Sequence, residues 1–355
     1  MANVPIGSAP VCHAPATSVA KRLGAAVAVA IVCGIIAYWR TSHSPDEPGG
    51  DFWQHWTAAR SVLHGADPYA VITPTTLRVA GDSNTIYGNR WYYPLPVVAL
   101  ALPVAMFSAP VAAAVFTAGA SGVLAFLLAA EGLGVLAVLL SAPFVLCVFA
   151  AQLSAALLAA SLVPAAQGLL VVKPTIGVAL LAARPTRWAI VGGAILCIEA
   201  FIVLPSWPRE WLAAVAGSPY YHAPILRGPV GPLLGLAALK WRRPEARILL
   251  VLACVPQLLL FYDQLPLALV PRSERERLVF TWSSWLAYIG WIVTSSHGAF
   301  DVVDLREAAP WVLVLVYLPA LVMVLRRPNE GNVPRWVERA VTALPAWLRG
   351  QAATA

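Results

Sequence analysis

Hydrophobic residues in this chain come in long runs and not in alternation. The runs cover residues 23–39, 95–107, 110–129, 133–149, 153–163, 166–183, 188–204, 229–239, 246–262, 278–294 and 309–325, most of them bounded by Arg, Pro or Gly. No period of two is sustained, so the pattern predicts helices and not a barrel. Several runs fall short of the roughly 20 residues that a straight crossing needs. They predict broken or re-entrant helices, which survive where protein or a cavity satisfies the freed backbone. The expected fold class is an all-α polytopic membrane protein with about ten to twelve membrane segments. No internal repeat stands out, which argues against a transporter built from duplicated halves.

Two polar stretches interrupt the runs. Residues 40–93 form the longer one, and parity places it outside the cytoplasm. Within it Phe52, Trp56, Ala59 and Leu63 recur at i, i+4, i+7 and i+11, one aromatic helix face suited to an interface. Gly65-Ala66-Asp67-Pro68 ends that helix, and Trp91-Tyr92-Tyr93-Pro94 returns the chain to the membrane with an aromatic belt. Residues 205–228 form a second outer loop with Trp207, Arg209, Glu210, Trp211, Tyr220, Tyr221, His222 and Arg227. The expected organisation is a mobile cytoplasmic N-terminus (1–20), a single transmembrane domain (21–325) containing the extracytoplasmic loop 40–93, and a cytoplasmic tail (326–355). The first run reads as an uncleaved anchor, since no small-x-small cleavage site follows it.

Composition agrees. The chain is 59% hydrophobic and 12% charged, against about a quarter charged in soluble domains. The net charge of +7 comes from clusters beside apolar runs: Lys21-Arg22, Arg184 with Arg187, Lys240 to Arg247, and Arg326-Arg327. That is a positive-inside bias and not a nucleic-acid surface. The five cysteines are scattered without a CxxC, which predicts neither a disulfide framework nor a cysteine-bound metal. His55 and His64 are nine residues apart and lack the spacing of a helical metal pair. No cofactor is expected, with a divalent metal left open. The Ala-rich, Lys-poor composition points to a GC-rich bacterium, hence to a bacterial inner membrane.

Few residues can carry chemistry. Asp51 precedes the aromatic helix face. It reads either as that helix's N-cap or as a carboxylate able to take a proton from a substrate hydroxyl. Lys173 lies eleven residues before Arg184, about 16 Å at 1.5 Å per residue, near mid-bilayer. A charge there is costly unless paired or hydrated, so Lys173 either lines a substrate cavity or is paired within the bundle. Asp263 either caps a short helix or faces the same cavity. Gln152 either hydrogen-bonds a sugar or satisfies a helix break. His222, Arg209 and Arg227 are outer-loop candidates for holding phosphate, or interface anchors.

The order of these segments resembles a known family. Asp51 with its following aromatic residue, Ala58-Ala59, Leu63, Gly65 and Asp67-Pro68-Tyr69 resembles the first-loop signature of glycosyltransferase family 87. That family includes the polyprenol-phosphate-mannose-dependent mannosyltransferases. Tyr93-Pro94 with Pro103, Ala151-Gln152-Leu153-Ser154, Gly168, Val172-Lys173-Pro174-Thr175, Arg184, Arg187-Trp188 and Tyr262-Asp263-Gln264-Leu265-Pro266-Leu267 are similar to its later motifs. Together they cover about residues 20–290; the second outer loop, 218–224, departs from the pattern. The resemblance implies a GT-C type fold. It also implies transfer of a hexose, most readily mannose, from a polyprenyl-phosphate donor to a glycolipid or glycan acceptor on the extracytoplasmic face. It gives Asp51 the role of general base, with inversion. Donor or acceptor contacts are expected from Lys173, Gln152, Tyr93, Asp263, His222 and Arg227. The expected partners are those two substrates and membrane lipids, with no nucleic acid. Two other classes stay open: a transporter or flippase of lipid-linked sugars, and an assembly protein without chemistry that would tolerate Asp51→Ala.

Overall fold

The computed structural model describes residues 17–43, 51–72, 91–216, 222–295, 302–331 and 343. Most of the expected N-terminus and tail, residues 44–50 and 73–90 of the first loop, and Tyr220 and Tyr221 lie outside the described residues. Among the described residues the chain is mostly helical with no strand. The helices of two turns or more are α1 (Val19–Ser42), α2 (Phe52–Leu63), α3 (Ala109–Leu128), α4 (Ala142–Phe149), α5 (Ser154–Leu162), α6 (Pro174–Ala183), α7 (Arg187–Val203), α8 (Trp207–Ala216), α9 (Pro244–Cys254), α10 (Glu274–Thr294), α11 (Val302–Val312) and α12 (Leu318–Leu325). Tighter 3₁₀ segments at Leu133–Leu140, Pro164–Val172, Gly231–Lys240 and Phe261–Leu269 lie between them. A π-helical turn, Leu313–Tyr317, joins α11 to α12.

Among the described residues, three helical stretches are long and apolar enough to cross a membrane: Val19–Ser42, Ala109–Glu131 and Glu307–Leu325. Two bent pairs bring the number to five if each is one broken span: α4 with α5, bent by 119°, and α7 with α8, bent by 101°. Against the expected ten to twelve segments, the described residues thus hold three to five candidate spans, and other apolar runs form helices shorter than a straight crossing. α10 has the length, but its first turn carries Glu274, Arg275, Glu276 and Arg277. Large apolar side chains point outward on α1 (Val27, Ile31, Ile35), α7 (Ile190, Ile198, Ile202) and α10 (Trp282, Leu286, Val293). Contiguous apolar surface of this kind is rare on soluble monomers and marks a membrane-facing surface.

The bundle has two chemically distinct ends. At one end the basic clusters gather: Arg22 donates to the Phe126 carbonyl, and Arg247 donates to the carbonyls of Ala182 and Ala183. At the other end the aromatic residues hold the loops. Trp56 donates its indole N–H to Phe107 O, Tyr69 its hydroxyl to Tyr93 O, and Trp211 its indole N–H to Tyr92 O. Residues 95–107 therefore leave this aromatic end and come back to it, so that run is re-entrant.

Residues 164–183 form a second hairpin, entering from the basic end. Its first arm is tied there by Gln167, which accepts from Thr186 Oγ1 at 2.7 Å, and its second arm ends under Arg247. Pro174 starts the second arm, as a residue without an N–H can at a first helical turn. Lys173 is the apex. The arms meet closely: a Cβ on Gly177 would lie 1.9 Å from Leu170 O, and one on Gly168 would lie 2.7 Å from Gly192 Cα on α7. Small residues also let α1 approach α3, with Gly122 against Ala30 and Gly34 against Ala118.

Because the hairpin's arms are in backbone contact, Gly177→Ala forces them apart. The expected loss is about 1–3 kcal/mol of stability, the usual cost of overpacking. Gly119→Ala, facing open space in the middle of α3, should cost nothing and gain about 0.5–1 kcal/mol from helix propensity. Thermal unfolding of the two variants in detergent checks this.

Candidate functional site

Four interruptions in the helices meet at one place. The first is the start of α2, at Asp51. Asp51 occupies the N-cap position, but its own φ and ψ are helical and its side chain makes no capping bond. The N-cap reading is therefore corrected: the carboxylate turns away from the helix. Its Oδ2 accepts from Gln152 Nε2 at 2.6 Å, and the Tyr262 hydroxyl also hydrogen-bonds to it. The backbone N–H of Asp51 donates to Ala150 O at 3.0 Å.

The second interruption is the turn between α4 and α5. There Ala151 is held at φ 51°, a left-handed conformation that costs a non-glycine residue about 1–3 kcal/mol. The turn buries Gln152 and aims its amide at Asp51. The third is the apex Lys173. Its Nζ lies 2.6 Å from Asp263 Oδ1 and 3.3 Å from Gln152 Oε1. It also sits 5.7 Å from the Tyr93 ring centroid and 5.3 Å from that of Tyr262, within range of attraction by the ring faces. The fourth is the 255–263 segment, where Leu259 has φ 60°. A buried amide network fixes that wall: Gln257 donates to Leu252 O and to the Tyr317 hydroxyl, and Gln264 donates to Gln257 Oε1. Tyr317 ends the π-helical turn, so this local irregularity in the last span is tied to the cavity wall.

The result is a cavity of about 380 Å³. Its polar floor is Asp51, Gln152, Lys173 and Asp263; Gln54, Tyr92, Tyr93, Thr175, Trp211 and Tyr262 stand around it, and Pro174, Val178, Val215, Leu258 and Leu260 form an apolar wall. Burial raises the Asp51 carboxyl above its ordinary range; Gln152, Lys173 and Tyr262 pull it back down, and Asp263 pushes it up again. A carboxylate placed so is a better proton acceptor than a solvated one.

Five expected site residues, Asp51, Tyr93, Gln152, Lys173 and Asp263, thus line one cavity. Two do not line it. His222 is exposed and pairs its backbone with Gln257, and Arg227 lies further along the same loop. Sequence reading also passed over Gln54, Tyr92, Gln257 and the hydroxyl of Tyr262. Gln54 carried a usable signal, lying one helical turn after Asp51. Gln257 carried none. His55, one turn beyond Asp51, is buried and packs edge-on to Tyr93 with ring centroids 4.3 Å apart, and burial holds its pKa down to about 3, so it is neutral. Among the described residues no group of three or more His, Cys, Asp or Glu could hold a metal ion.

Removing one member of a buried ion pair strands the other charge, a loss of about 3–5 kcal/mol, whereas replacing both by apolar residues is close to neutral. Lys173→Met should therefore destabilise the protein by that amount, and adding Asp263→Leu should restore most of the loss without restoring function. Chemical or thermal unfolding of the single and double variants checks this. No protein-family model matches the sequence, and no curated protein and no solved structure matches it either.

Proposed function

We propose that this chain is a membrane glycosyltransferase. It moves a hexose, most readily mannose, from a polyprenyl-phosphate donor to a hydroxyl of a glycolipid or glycan acceptor, at the extracytoplasmic end of a bacterial inner membrane protein of GT-C type. One observation carries the reading: a desolvated carboxylate, Asp51, shares a single, largely apolar cavity with a buried cation, Lys173, although 122 positions separate them in sequence. Such a cavity suits an amphipathic substrate with a polar head and an apolar tail.

The chemistry needs two things. The acceptor hydroxyl must lose a proton, and the donor phosphate must leave with the electron pair of the C1–O bond. Asp51 takes the proton as the acceptor oxygen forms its bond to C1. The Lys173 ammonium, held by Asp263 and Gln152, stabilises the negative charge that develops on the departing phosphate. A single displacement inverts C1, so a β-linked donor gives an α-linked product. Tyr93 and Tyr262 keep the ammonium in place with their ring faces, and the apolar wall accommodates the first isoprene units.

A second reading, movement of a lipid-linked sugar without transfer, is favoured by the re-entrant hairpin that carries Lys173 to the cavity, since transporters place broken helices at their sites.

The test is sugar transfer in membranes given radiolabelled polyprenyl-phosphate mannose and a lipid extract. Wild type should form labelled glycolipid, and Asp51→Asn, inserted normally, should lose at least about a hundredfold of the rate, the lower range of a general base's contribution. A base works only when ionised, so transfer should fall as pH drops through the raised Asp51 pKa. Gln152→Leu removes a bond that lowers that pKa, so its acid limb should move to higher pH. Equal product from wild type and Asp51→Asn would sink the assignment, and transport without product would favour the second reading.

A further inference from the structure

The end of the bundle opposite the cavity holds a second concavity, of about 670 Å³. Four guanidinium-bearing residues line it, Arg184, Arg243, Arg247 and Arg272, against two carboxylates, Glu245 and Glu330. The walls are built by fixed pairings. Glu245, its side chain 1% exposed, accepts from Arg327 at 2.8 Å, Arg243 at 3.1 Å and Arg272 at 3.3 Å. Arg243 also donates to Pro328 O at 2.9 Å. Arg247 donates to the carbonyls of Ala182 at 2.6 Å, Ala183 and Arg242 at 2.8 Å, and Trp241 at 3.1 Å. These bonds join the end of α6, the turn before α9, the start of α10 and the chain after α12.

Two carboxylates do not neutralise the four guanidinium groups that line the cleft, and Arg327, which also pairs with Glu276 at 2.6 Å, leaves that balance unchanged, so the cleft keeps an excess of positive charge. Arg184 is exposed beside it, and the Arg272 side chain is 59% exposed, so both can reach an incoming anion. Two indoles flank the same arginine-rich turns, Trp188 under Arg187 at 5.3 Å and Trp241 under Arg242 at 5.2 Å. Tryptophan at this position marks the level of lipid headgroups. Basic pockets between membrane helices at that depth accept phosphate-bearing headgroups, and arginine offers phosphate a bidentate fork.

We propose that this cleft binds a phosphate group, with Arg184 and Arg272 as its accessible cations and an anionic phospholipid headgroup as the source that its depth favours. The site is independent of the transfer chemistry at Asp51. It would join four separate segments through one anion and so stabilise this end of the bundle.

Purified full-length protein in detergent is titrated with phosphatidylglycerol, with phosphatidylcholine and, separately, with inorganic phosphate, and followed by native mass spectrometry and thermal unfolding. Wild type should retain phosphatidylglycerol in preference to phosphatidylcholine and unfold at higher temperature with it. Arg184→Gln with Arg272→Gln should weaken that binding by about tenfold or more, the equivalent of about 1.4 kcal/mol. Arg184→Gln alone, at an exposed position, should weaken it in part, and Arg184→Lys should keep most of it, which separates a lost site from a lost fold. Stabilisation by inorganic phosphate but not by the lipid, abolished in the double variant, would support the site with free phosphate as its source. Equal binding of both lipids together with no phosphate effect, or phosphatidylglycerol and phosphate binding untouched by the double variant, would overturn the proposal.

Discussion

The structure depends on keeping one ammonium group charged inside an apolar bundle. Lys173 is held at the apex of a hairpin by Asp263, by Gln152 and by two tyrosine rings. Taking such a pair out of water costs several kcal/mol per ion, and only good geometry with further hydrogen bonds offsets it. Each partner comes from a place where a helix is interrupted, and each interruption has its own cost. Ala151 and Leu259 are left-handed without being glycine, and the 164–183 hairpin gives up a continuous helix. Strain of this kind persists only where the surroundings over-determine it. Here it is concentrated around one cavity.

The two ends of the bundle divide the work. At the aromatic end, indole and phenol groups tie loop carbonyls together, and α8 lies across the end of α7 to close one side of the cavity. At the basic end, Glu245 and Arg247 act as clasps between segments distant in sequence. α6 links the two ends, running from the apex at Lys173 to the arginine cluster.

Much of the fold was legible in sequence because it rests on local pattern. α2 begins and ends where the aromatic face and the Gly65 turn place it, with Gly65 at φ 70°. The basic clusters mark one end, and the short runs do become broken helices. That residues 95–107, one of the short runs, are re-entrant and not half of a broken span was not legible, because it depends on Trp56 and Phe107 meeting across the fold. The role of Asp51 was half legible. A helix start after it could be read locally, but the direction of its carboxylate is set by Gln152, 101 residues away. Lys173 stood out from cost alone, since a lysine deep in an apolar run needs a partner. Which partner it takes, Asp263 at a separation of 90 residues, is a tertiary fact. His222 and Arg227 were proposed because they are polar and in an outer loop, and polarity alone does not bring a residue to a cavity.

The most direct test is an experimental structure of the protein in a lipid nanodisc with a non-hydrolysable polyprenyl-phosphate sugar analogue. The account predicts density in the cavity between α6 and α8, with the phosphate near Lys173, the tail along Val178 and Leu258, and the face of C1 opposite the phosphate turned toward Asp51. Density for the sugar phosphate at the His222 and Arg227 loop, with the cavity around Lys173 empty, would contradict it.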